Sequence, residues 1–284
     1  MSVRKEEIQY VENTPIRVVH HMTSALRGPS SPHWHDEIEL DYVLRGTVIY
    51  NINGTSIPVS QGEIVLINSG AIHSYSRKEH KHIEETSVEV LTVLLDNRLC
   101  LAYCKGENPV FKTLIREGEN DPLRSVMTDI GIAFLRSDPY YELLLSAFAL
   151  KLCHCLLLYH RLPEMEERGN RESSLAEIKQ VLQYIEEHSS EKVTLSEIAE
   201  RTNYNPAYFS RRFHNLTGVT FCEYLNRCRA KNAAGLLKST DSNITDIALS
   251  CGFPNVKSMI TQFKRIYRLT PEKYRREIAE KVKI

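Results

Sequence analysis

Three side chains that can bind a metal ion or a polar ligand occur within seven residues of the N-terminal half. His33, His35 and Glu39 lie in the stretch HWHDEIELDYVLRG, residues 33 to 46, at spacings of two and four. Residues at even spacing point to the same face of a strand, so we expect these side chains to converge. They could form a metal centre, line a pocket for a small molecule, or be structural histidines of the strand.

Each interpretation depends on how this strand is buried. Imidazoles and a carboxylate that converge on one point suit zinc, nickel, manganese or iron with coordination positions left open. The opposite face of the stretch is strongly apolar and also has to be buried; it carries Ile38, Leu40, Tyr42 and Leu44. Either helices cover this face, or a bulge switches the strand and spoils the convergence of the ligands.

Short strands and turns surround this stretch from about Ile16 to Leu95. Strands are predicted in EIELDYVLRG, TVIYNINGTSIPV, QGEIVLINSG and SVEVLTVLL. The pair Asn53-Gly54 between two β-prone runs predicts a hairpin. Strands at this spacing indicate a closed or sandwiched β domain.

From about Asn108 the apolar residues follow helical spacing instead. The helices up to about His160 have more apolar surface than one face needs, which predicts that they pack on the β domain and on a partner subunit. The apolar run Leu143 to Leu158 is interrupted by Ser146, Lys151 and His154, which argues against a membrane span. The N-terminus lacks the apolar run of a secretory signal, so we expect a soluble cytoplasmic protein.

Charge is distributed unequally along a chain whose formal net charge is zero. Residues 1 to 170 carry a net charge of −6, and residues 171 to 284 carry 19 Lys+Arg against 13 Asp+Glu, a net charge of +6. The C-terminal part is therefore the one expected to meet a polyanion. The seven cysteines form no CxxC pair, which favours buried thiols over a disulfide framework or a zinc ribbon.

The polar segment RLPEMEERGNRES, residues 161 to 173, is predicted to be a linker, and an internal repeat follows it. LSEIAERTNY matches ITDIALSCGF 49 residues later, and Phe213, Thr220 and Tyr224 match Phe263, Thr270 and Tyr274 at an offset of 50. Each copy has a short helix, a turn with Asn203 or Gly252, and a second helix. This is the pattern of a helix-turn-helix.

The second helix of each copy offers a face that the core does not need. In the first copy the inward residues leave a small, polar or cationic stripe of Ala207, Ser210, Arg211 and His214. In the second copy the corresponding stripe is Lys257, Ile260, Thr261 and Lys264. A charged face on one helix is common in any bundle, but two such units in the basic half indicate binding to double-stranded DNA in the major groove.

The segment from LSEIAERTNY to LTPEKYRR resembles the DNA-binding domain of AraC/XylS-type transcriptional regulators over roughly the last 110 residues. The resemblance implies two helix-turn-helix units joined by a long helix, about Val219 to Leu237, with both recognition helices in successive major grooves. Its base-contacting positions fall on Ala207, Ser210 and Arg211 and on Lys257, Ser258 and Thr261. Many members have arginine at the position of Thr261 and an aromatic residue at that of Met259, so this chain departs from the pattern in its second unit.

The β domain resembles the cupins, which supply the sensor of many AraC-type regulators. His33, His35, Glu39 and Gly46 match the first cupin motif; Gly62, Gly70 and His73 match the second, where Asn68 replaces a proline and Arg77 an asparagine. The resemblance makes His33, His35, Glu39 and His73 the candidate ligand-binding residues. They line either a metal-free pocket for a sugar-like or other polar effector, or a site for a divalent transition metal.

The sequence therefore predicts an α+β two-domain protein: an N-terminal cupin-like β jelly-roll with a helical dimerisation segment in residues 1–160, and a C-terminal all-α tandem helix-turn-helix domain in residues 174–284. The predicted function is an effector-responsive transcription factor, not an enzyme, that acts as a homodimer on genes of carbohydrate or other small-molecule metabolism. The family resemblance adds RNA polymerase as a partner and the N-terminal arm, Met1 to Pro15, as a moving part. The alternatives are a cupin metalloenzyme, an oxygenase or isomerase, with an accessory DNA-binding domain, and a constitutive architectural DNA binder.

Overall fold

A computed structural model describes residues 10–11, 13–22, 30–77, 88–104, 108–116, 122–163 and 168–281. Most of the N-terminal arm, and residues 164–167 of the predicted linker, lie outside the described residues. The described part confirms the two-domain architecture, with a β-rich N-terminal domain and a helical C-terminal domain.

Among the described residues of the N-terminal domain, the strands form two antiparallel sheets. Their strands are β1 (Ile16–Met22), β2 (Ile38–Arg45), β3 (Thr47–Ile52), β4 (Thr55–Ser60), β5 (Ile64–Ile67), β6 (His73–Arg77), β7 (Glu89–Leu95) and β8 (Leu114–Ile115). The larger sheet has the order β1-β7-β2-β5-β8, and the smaller has the order β4-β3-β6. Asn53 and Gly54 have φ angles of 48° and 83°, as the predicted hairpin between β3 and β4 requires.

Side chains from both sheets pack into a core between them, which makes the domain a sandwich. The residues of β2 alternate: Val43 points into this core, while Ile38 and Leu40 belong to a second core on the outer face of the larger sheet. A register irregularity occurs between Val43 and Arg45, beyond Glu39. The bulge therefore leaves the approach of Glu39 to the histidines intact.

Helices cover the outer face of the larger sheet, which answers the question raised by its apolar residues. They are α1 (Asn97–Leu101), α2 (Pro122–Arg136) and α3 (Tyr141–Cys155), and α3 continues as a π-helical turn, Leu156–His160. Val126, Ile130 and Leu152 pack against Leu40 and Val93 in one buried cluster. Helical structure was predicted to begin at about Asn108. This starting point was wrong, because Leu114 and Ile115 form an edge strand paired with β5.

The helix Tyr141–His160 has the length and apolar composition of a membrane-crossing helix. Core helices of soluble proteins share these properties. Leu145, Ala149 and Leu152 of this helix lie in the core beneath the sheet. Its other side exposes Leu143, Leu144, Leu150 and Leu158.

Seven helices lie in the described part of the C-terminal domain, residues 168–281. They are α4 (Arg168–Glu187), α5 (Leu195–Arg201), α6 (Pro206–Thr217), α7 (Phe221–Ser239), α8 (Ile244–Ser250), α9 (Val256–Tyr267) and α10 (Pro271–Lys281). The linking helix α7 thus begins and ends two residues later than its sequence pattern indicates. Residues 168–173 of the predicted linker form the first turns of α4, although Gly169 and Asn170 have low helix propensity and the segment has no apolar periodicity.

Each half of this domain has its own buried cluster, one around Phe209 and Phe213 and the other around Met259 and Phe263. The inward positions that the repeat predicts are therefore correct. All seven cysteines are free thiols, and six are buried, as expected. Cys100 and Cys153 bring their Sγ atoms within 3.3 Å of each other.

Candidate ligand cluster and nucleic-acid interface

The four side chains expected to bind a ligand or metal come together inside the sandwich. The His33 and His73 backbones pair in an isolated bridge, with both N–H···O distances at 2.9 Å, and their ring centroids are 4.1 Å apart. The Glu39 carboxylate reaches His35 Nε2 at 2.8 Å and His73 Nε2 at 3.4 Å. One ligand atom from each of His33, His35, Glu39 and His73 lies within 4.8 Å of the others.

The histidines and Glu39 converge in a different way from the one that the sequence predicts. Only Glu39 lies on β2, which begins at Ile38, whereas His33 and His35 precede a bend at Asp36 and Glu37. Placing all three on one face of one continuous strand was therefore wrong. They still converge, because the bridge to His73 fixes the segment before the bend.

Backbone carbonyls orient the three imidazoles. His33 Nδ1 lies 3.0 Å from Ser31 O, His35 Nδ1 3.2 Å from Glu37 O, and His73 Nδ1 2.9 Å from Ala71 O. A carbonyl oxygen can only accept a hydrogen bond, so each Nδ1 carries the proton and donates it. In neutral His33 this directs the Nε2 lone pair into the cluster, whereas His35 Nε2 hydrogen-bonds the Glu39 carboxylate at 2.8 Å and would exchange that hydrogen bond for a bound metal ion. Metal-binding histidines are commonly oriented in this way.

Burial and mutual charge set the protonation of the cluster. Burial, with the neighbouring His73, lowers the pKa of His33 to about 3, so this ring is neutral at physiological pH. Burial alone would raise the pKa of the Glu39 carboxyl, but His73 and His35 hold that pKa well below its usual range. A neutral imidazole and an ionised carboxylate are the protonation states that bind metal ions.

A second buried acid lies beside the cluster, and the sequence analysis missed it. Asp41 points into the sandwich from β2 and accepts a hydrogen bond from the Thr92 hydroxyl. Burial and the nearby Glu39 carboxylate raise the pKa of Asp41 well above its usual value. Period-two alternation from Glu39 could have identified this residue, because positions 39, 41 and 43 share one face of β2.

The first helix-turn-helix unit leaves its predicted recognition face accessible. Asn205 caps α6 by accepting from the Tyr208 N–H at 2.8 Å, and Phe209 and Phe213 are fully buried. On the other stripe, Ala207 and Arg211 are exposed and Ser210 is half-buried. The turn before the helix has Asn203 at a φ of 56°, the left-handed conformation that the repeat predicts.

The second unit repeats this arrangement on α9. Asn255 accepts from the Ser258 N–H at 2.8 Å, and Gly252 in the preceding turn has a φ of 80°. Lys257 and Thr261 are exposed and Ser258 is half-buried. The Thr261 hydroxyl donates to Lys257 O at 2.9 Å, so part of its hydrogen-bonding capacity is used within the helix.

Two further cations extend the second face beyond the stripe that the sequence identified. Arg265 and Arg268 are exposed and line a shallow groove with Ile260, Thr261 and Lys264. In the first unit, by contrast, Arg212 is turned inward and pairs with Glu177 at 2.8 Å. Counting basic residues after each turn of the sequence would have identified Arg265 and Arg268 as candidates. It would also have included Arg212, which only the structure shows to be turned inward.

Comparison with known proteins agrees with both halves of this description. Residues 27–105 match the model of an AraC-like ligand binding domain, and residues 198–277 match that of a helix-turn-helix domain. Together these models cover more than half of the chain.

Among relatives, the HTH-type transcriptional regulator YdeC of Bacillus subtilis is 25% identical over 252 residues, which cover 86% of this chain and 85% of YdeC. An HTH-type transcriptional regulator of Staphylococcus aureus is 26% identical over 83% of this chain, and the match spans only 31% of that longer protein. Among solved structures, ToxT of Vibrio cholerae O395 aligns with 93% of this chain and 98% of its own at 15% identity, with a TM-score of 0.45.

Proposed function

We propose, for a chain that belongs to the AraC-type family of transcriptional regulators, that α6 and α9 contact base edges in the major groove and that the histidine cluster is the effector site. The chain is an effector-binding and DNA-binding transcriptional regulator. We assign DNA binding and effector binding to these particular residues. It also makes the cluster a sensor that binds its ligand without turnover.

One observation carries the DNA-binding proposal: both repeat units expose the same positions of their second helix while burying the opposite side. Arg211 supports bidentate recognition of guanine, and Lys257 suits a phosphate or guanine contact. The test is selection of duplexes from a random pool by the full-length chain. We expect enriched sites with two contacted segments about one helical turn apart. Failure to enrich any sequence above the starting pool would contradict base recognition.

The chemistry of the cluster favours a divalent transition metal ion, alone or together with a polar metabolite. His33, His35, Glu39 and His73 supply four ligand atoms within 4.8 Å of one another, so the side chains would have to draw together slightly to reach metal–nitrogen bonds of about 2.0–2.1 Å. His73 Nε2 is buried and has no well-formed hydrogen bond to a described residue, although the Glu39 carboxylate lies 3.4 Å away. Bound there, the ion would supply positive charge and a coordination position for a ligand oxygen.

Elemental analysis of protein purified without a metal-affinity tag tests this assignment. We expect one transition-metal ion per chain, lost in His33→Ala and retained in the matched variant His188→Ala, whose histidine lies in the other domain. If wild-type protein holds no metal and takes up none on dialysis against zinc, the effector is a metal-free polar molecule. Thermal stabilisation by candidate metabolites, without turnover, then identifies it.

We further propose that the exposed apolar side of α3 forms a homodimer. Leu143, Leu150 and Leu158 are 71%, 54% and 58% exposed, at spacings of seven and eight that place them on one stripe of the helix. A second copy of this chain would bury that surface. Leu150→Glu should give a monomer in analytical ultracentrifugation, while Leu135→Glu on α2 serves as the matched control. An unchanged dimer in Leu150→Glu would place the interface elsewhere.

The remaining assignments rest on the family alone. We propose that the protein acts in the cytoplasm, contacts RNA polymerase, and regulates genes of carbohydrate or other small-molecule metabolism. Mapping the sites bound in a cell that expresses the chain, followed by transcription assays at those promoters, tests all three and gives the sign of regulation.

A further inference from the structure

The loop between α4 and α5 belongs to the first helix-turn-helix unit but lies against the turn of the second. A Cβ atom at Gly252 of that turn would lie 2.6 Å from Ser190 O and 2.7 Å from Ser189 O. Both distances are shorter than van der Waals contact, so the turn comes this close only because position 252 has no side chain. We call residues 188–194 the brace loop.

The equivalent turn of the first unit shows that the backbone conformation alone does not require glycine. Asn203 occupies this position, 49 residues before Gly252, with a φ of 56° against 80°. Asparagine adopts the left-handed conformation at little cost, and here its side chain is exposed. The further requirement at Gly252 therefore comes from the carbonyl groups of the brace loop.

The linking helix α7 holds the brace loop in place by hydrogen bonds. Arg229 Nε donates to Ser189 O at 2.8 Å, and Arg229 Nη2 donates to Glu191 O at 2.9 Å. Three residues further along α7, Asn232 Nδ2 donates to Ser189 Oγ at 3.1 Å. Ser189 is 1% exposed, and its hydroxyl donates to Glu186 O at the end of α4. Because a guanidinium makes strong hydrogen bonds to carbonyl oxygens, the loop cannot leave α7 without a considerable loss.

Both sides of this contact are anchored in the cores of the two units. Val193 of the brace loop belongs to the buried cluster of the first unit, and Phe253, next to Gly252, belongs to that of the second. The helix α7 serves both units, with Tyr224 in the first cluster and Leu237 in the second. Two units joined by one helix alone could tilt and rotate as that helix bends. A second contact away from the axis of α7 removes this freedom.

We propose that the brace loop, Arg229 and Gly252 fix the separation and rotation of α6 relative to α9, and that the spacing of the two contacted DNA segments thereby determines which sites are bound. This rests on the proposed function, in which both helices enter the major groove. Successive major grooves on one face of DNA are about 34–36 Å or 10–10.5 base pairs apart, so one inserted base pair shifts the second segment by about 3.4 Å and rotates it by about 35°. Rigidly held helices cannot follow this change without losing the contacts of one of them.

The test uses the full-length chain and two variants of the contact. Gly252→Asn keeps a residue that tolerates the positive φ but places a Cβ atom against Ser190 O, and Asn203→Gly in the equivalent turn is its matched control. Arg229→Met removes both guanidinium hydrogen bonds to the brace loop, and Lys231→Met, exposed on the same helix, is its control. Affinity is measured on a duplex selected by the wild-type chain and on duplexes with one base pair inserted or deleted between the two contacted segments.

The deciding quantity is the ratio of the affinities for the selected and the shifted duplexes, because a variant that merely binds all DNA more weakly leaves this ratio unchanged. We expect wild type and both controls to lose at least about tenfold on a shifted duplex, a loss like that from a mismatched base pair. Gly252→Asn and Arg229→Met should lose less than about threefold, since a flexible connection adapts to a small change in span at little cost. A wild-type ratio in both variants, or a wild type that ignores the spacing, would overturn the proposal.

A measurement without DNA separates this inference from the DNA-binding proposal. Spin labels at His214→Cys on α6 and Lys264→Cys on α9 report the distance between the two helices, with the exposed native thiol removed by Cys222→Ser. We expect a narrow distance distribution that broadens when Gly252→Asn or Arg229→Met is added. If footprints show that wild type contacts a single DNA segment, the proposed function fails for one helix, and the label distances still decide whether the contact is a brace. Equal widths with and without the two substitutions would refute it.

Discussion

The two helix-turn-helix units share a plan and differ at the end of the recognition helix. Gly218 ends α6 and Arg268 ends α9, both in the left-handed conformation, with φ angles of 74° and 59°. Gly218 lies against Asn51 of the sensor, whereas Arg268 is exposed. The backbone conformation is thus a requirement of the unit. The identity of the residue depends on whether the sensor or solvent lies beyond it.

The two recognition faces also differ in the number of cations that they expose to solvent. On the second face the cations Lys257, Lys264, Arg265 and Arg268 are exposed. The first face exposes Arg211 but turns Arg212 inward to Glu177. We expect the second unit to supply most of the phosphate attraction and the first to combine base contacts with contact to the sensor.

The largest expected effect comes from removing the aromatic anchor of either unit. Phe213→Ala and Phe263→Ala should each lower the free energy of unfolding by about 3–5 kcal/mol, since both rings are fully buried. Only Phe213→Ala should also speed hydrogen exchange around Ile72, because its cluster includes that sensor residue. Denaturant unfolding and exchange measure the two effects. Equal exchange at Ile72 in both variants would remove the distinction between the units.

A somewhat smaller effect is expected on the pH dependence of stability, at a buried carboxyl beneath the first unit. Burial raises the pKa of Glu186 to about 7, and this carboxyl accepts a hydrogen bond from Tyr224. The folded chain therefore holds a proton that the unfolded chain releases above its ordinary pKa. Stability should fall as the pH rises from about 4.5 to about 7 and stay low above that, by up to about 3 kcal/mol.

Glu186→Gln should remove this dependence and stabilise the domain at pH 8. Thermal unfolding of wild type and variant at pH 5 and pH 8 measures it, with the exposed Glu187→Gln as the control. A variant that keeps the wild-type pH slope would assign the slope to another group.

Arg211→Ala and Lys257→Ala should separate base recognition from phosphate attraction. Arg211→Ala should weaken specific binding by about 1–3 kcal/mol and relax base preference at one position. If Lys257 contacts phosphate, Lys257→Ala should weaken binding to all sequences and reduce the salt dependence by about one ion. Footprints and salt titrations on the selected duplex distinguish the two, and an unchanged footprint for Arg211→Ala would contradict its place on the recognition face.

The smallest effect is expected at the helix ends. Arg268→Gly should stabilise the second unit by about 0.5–1 kcal/mol, because glycine adopts the left-handed conformation without steric cost. The same variant should bind DNA more weakly at low salt, having lost one exposed cation. If Arg268→Gly is destabilising, contacts of the arginine outweigh the backbone preference at this position.

Much of the fold was predictable because its signals are local. The turn Asn53-Gly54 and the repeat of Phe213 in Phe263 depend on residues within one turn or one element. The edge strand Leu114–Ile115 was not predictable, because two residues carry no period and pair only when β5 is already in place. The helical start of residues 168–173 likewise has no apolar pattern to indicate it.

For the site, the sequence identified the ligand types but not their arrangement. His33, His35 and Glu39 were expected on one strand, yet a bend separates Glu39 from the histidines, and the bridge to His73 restores their convergence. Asp41 was missed because an acid at a buried strand position is uncommon without a partner, and its partner Thr92 lies 51 residues away. The assignment of either recognition face to particular bases stays a prediction.

By itself the sequence determined the hairpin at Asn53-Gly54 and the two helix-turn-helix units, which sides of α6 and α9 face inward, and which side chains have metal-binding chemistry. Backbone geometry fixes side-chain directions over a few residues, and composition and spacing are sufficient to infer them. Only the tertiary structure decided that His73 meets His33, that helices cover Leu40, and that Trp34 and Ile72 contact the DNA-binding domain. These distances join residues far apart in the chain, and they are set by the packing of whole elements, which no local spacing encodes.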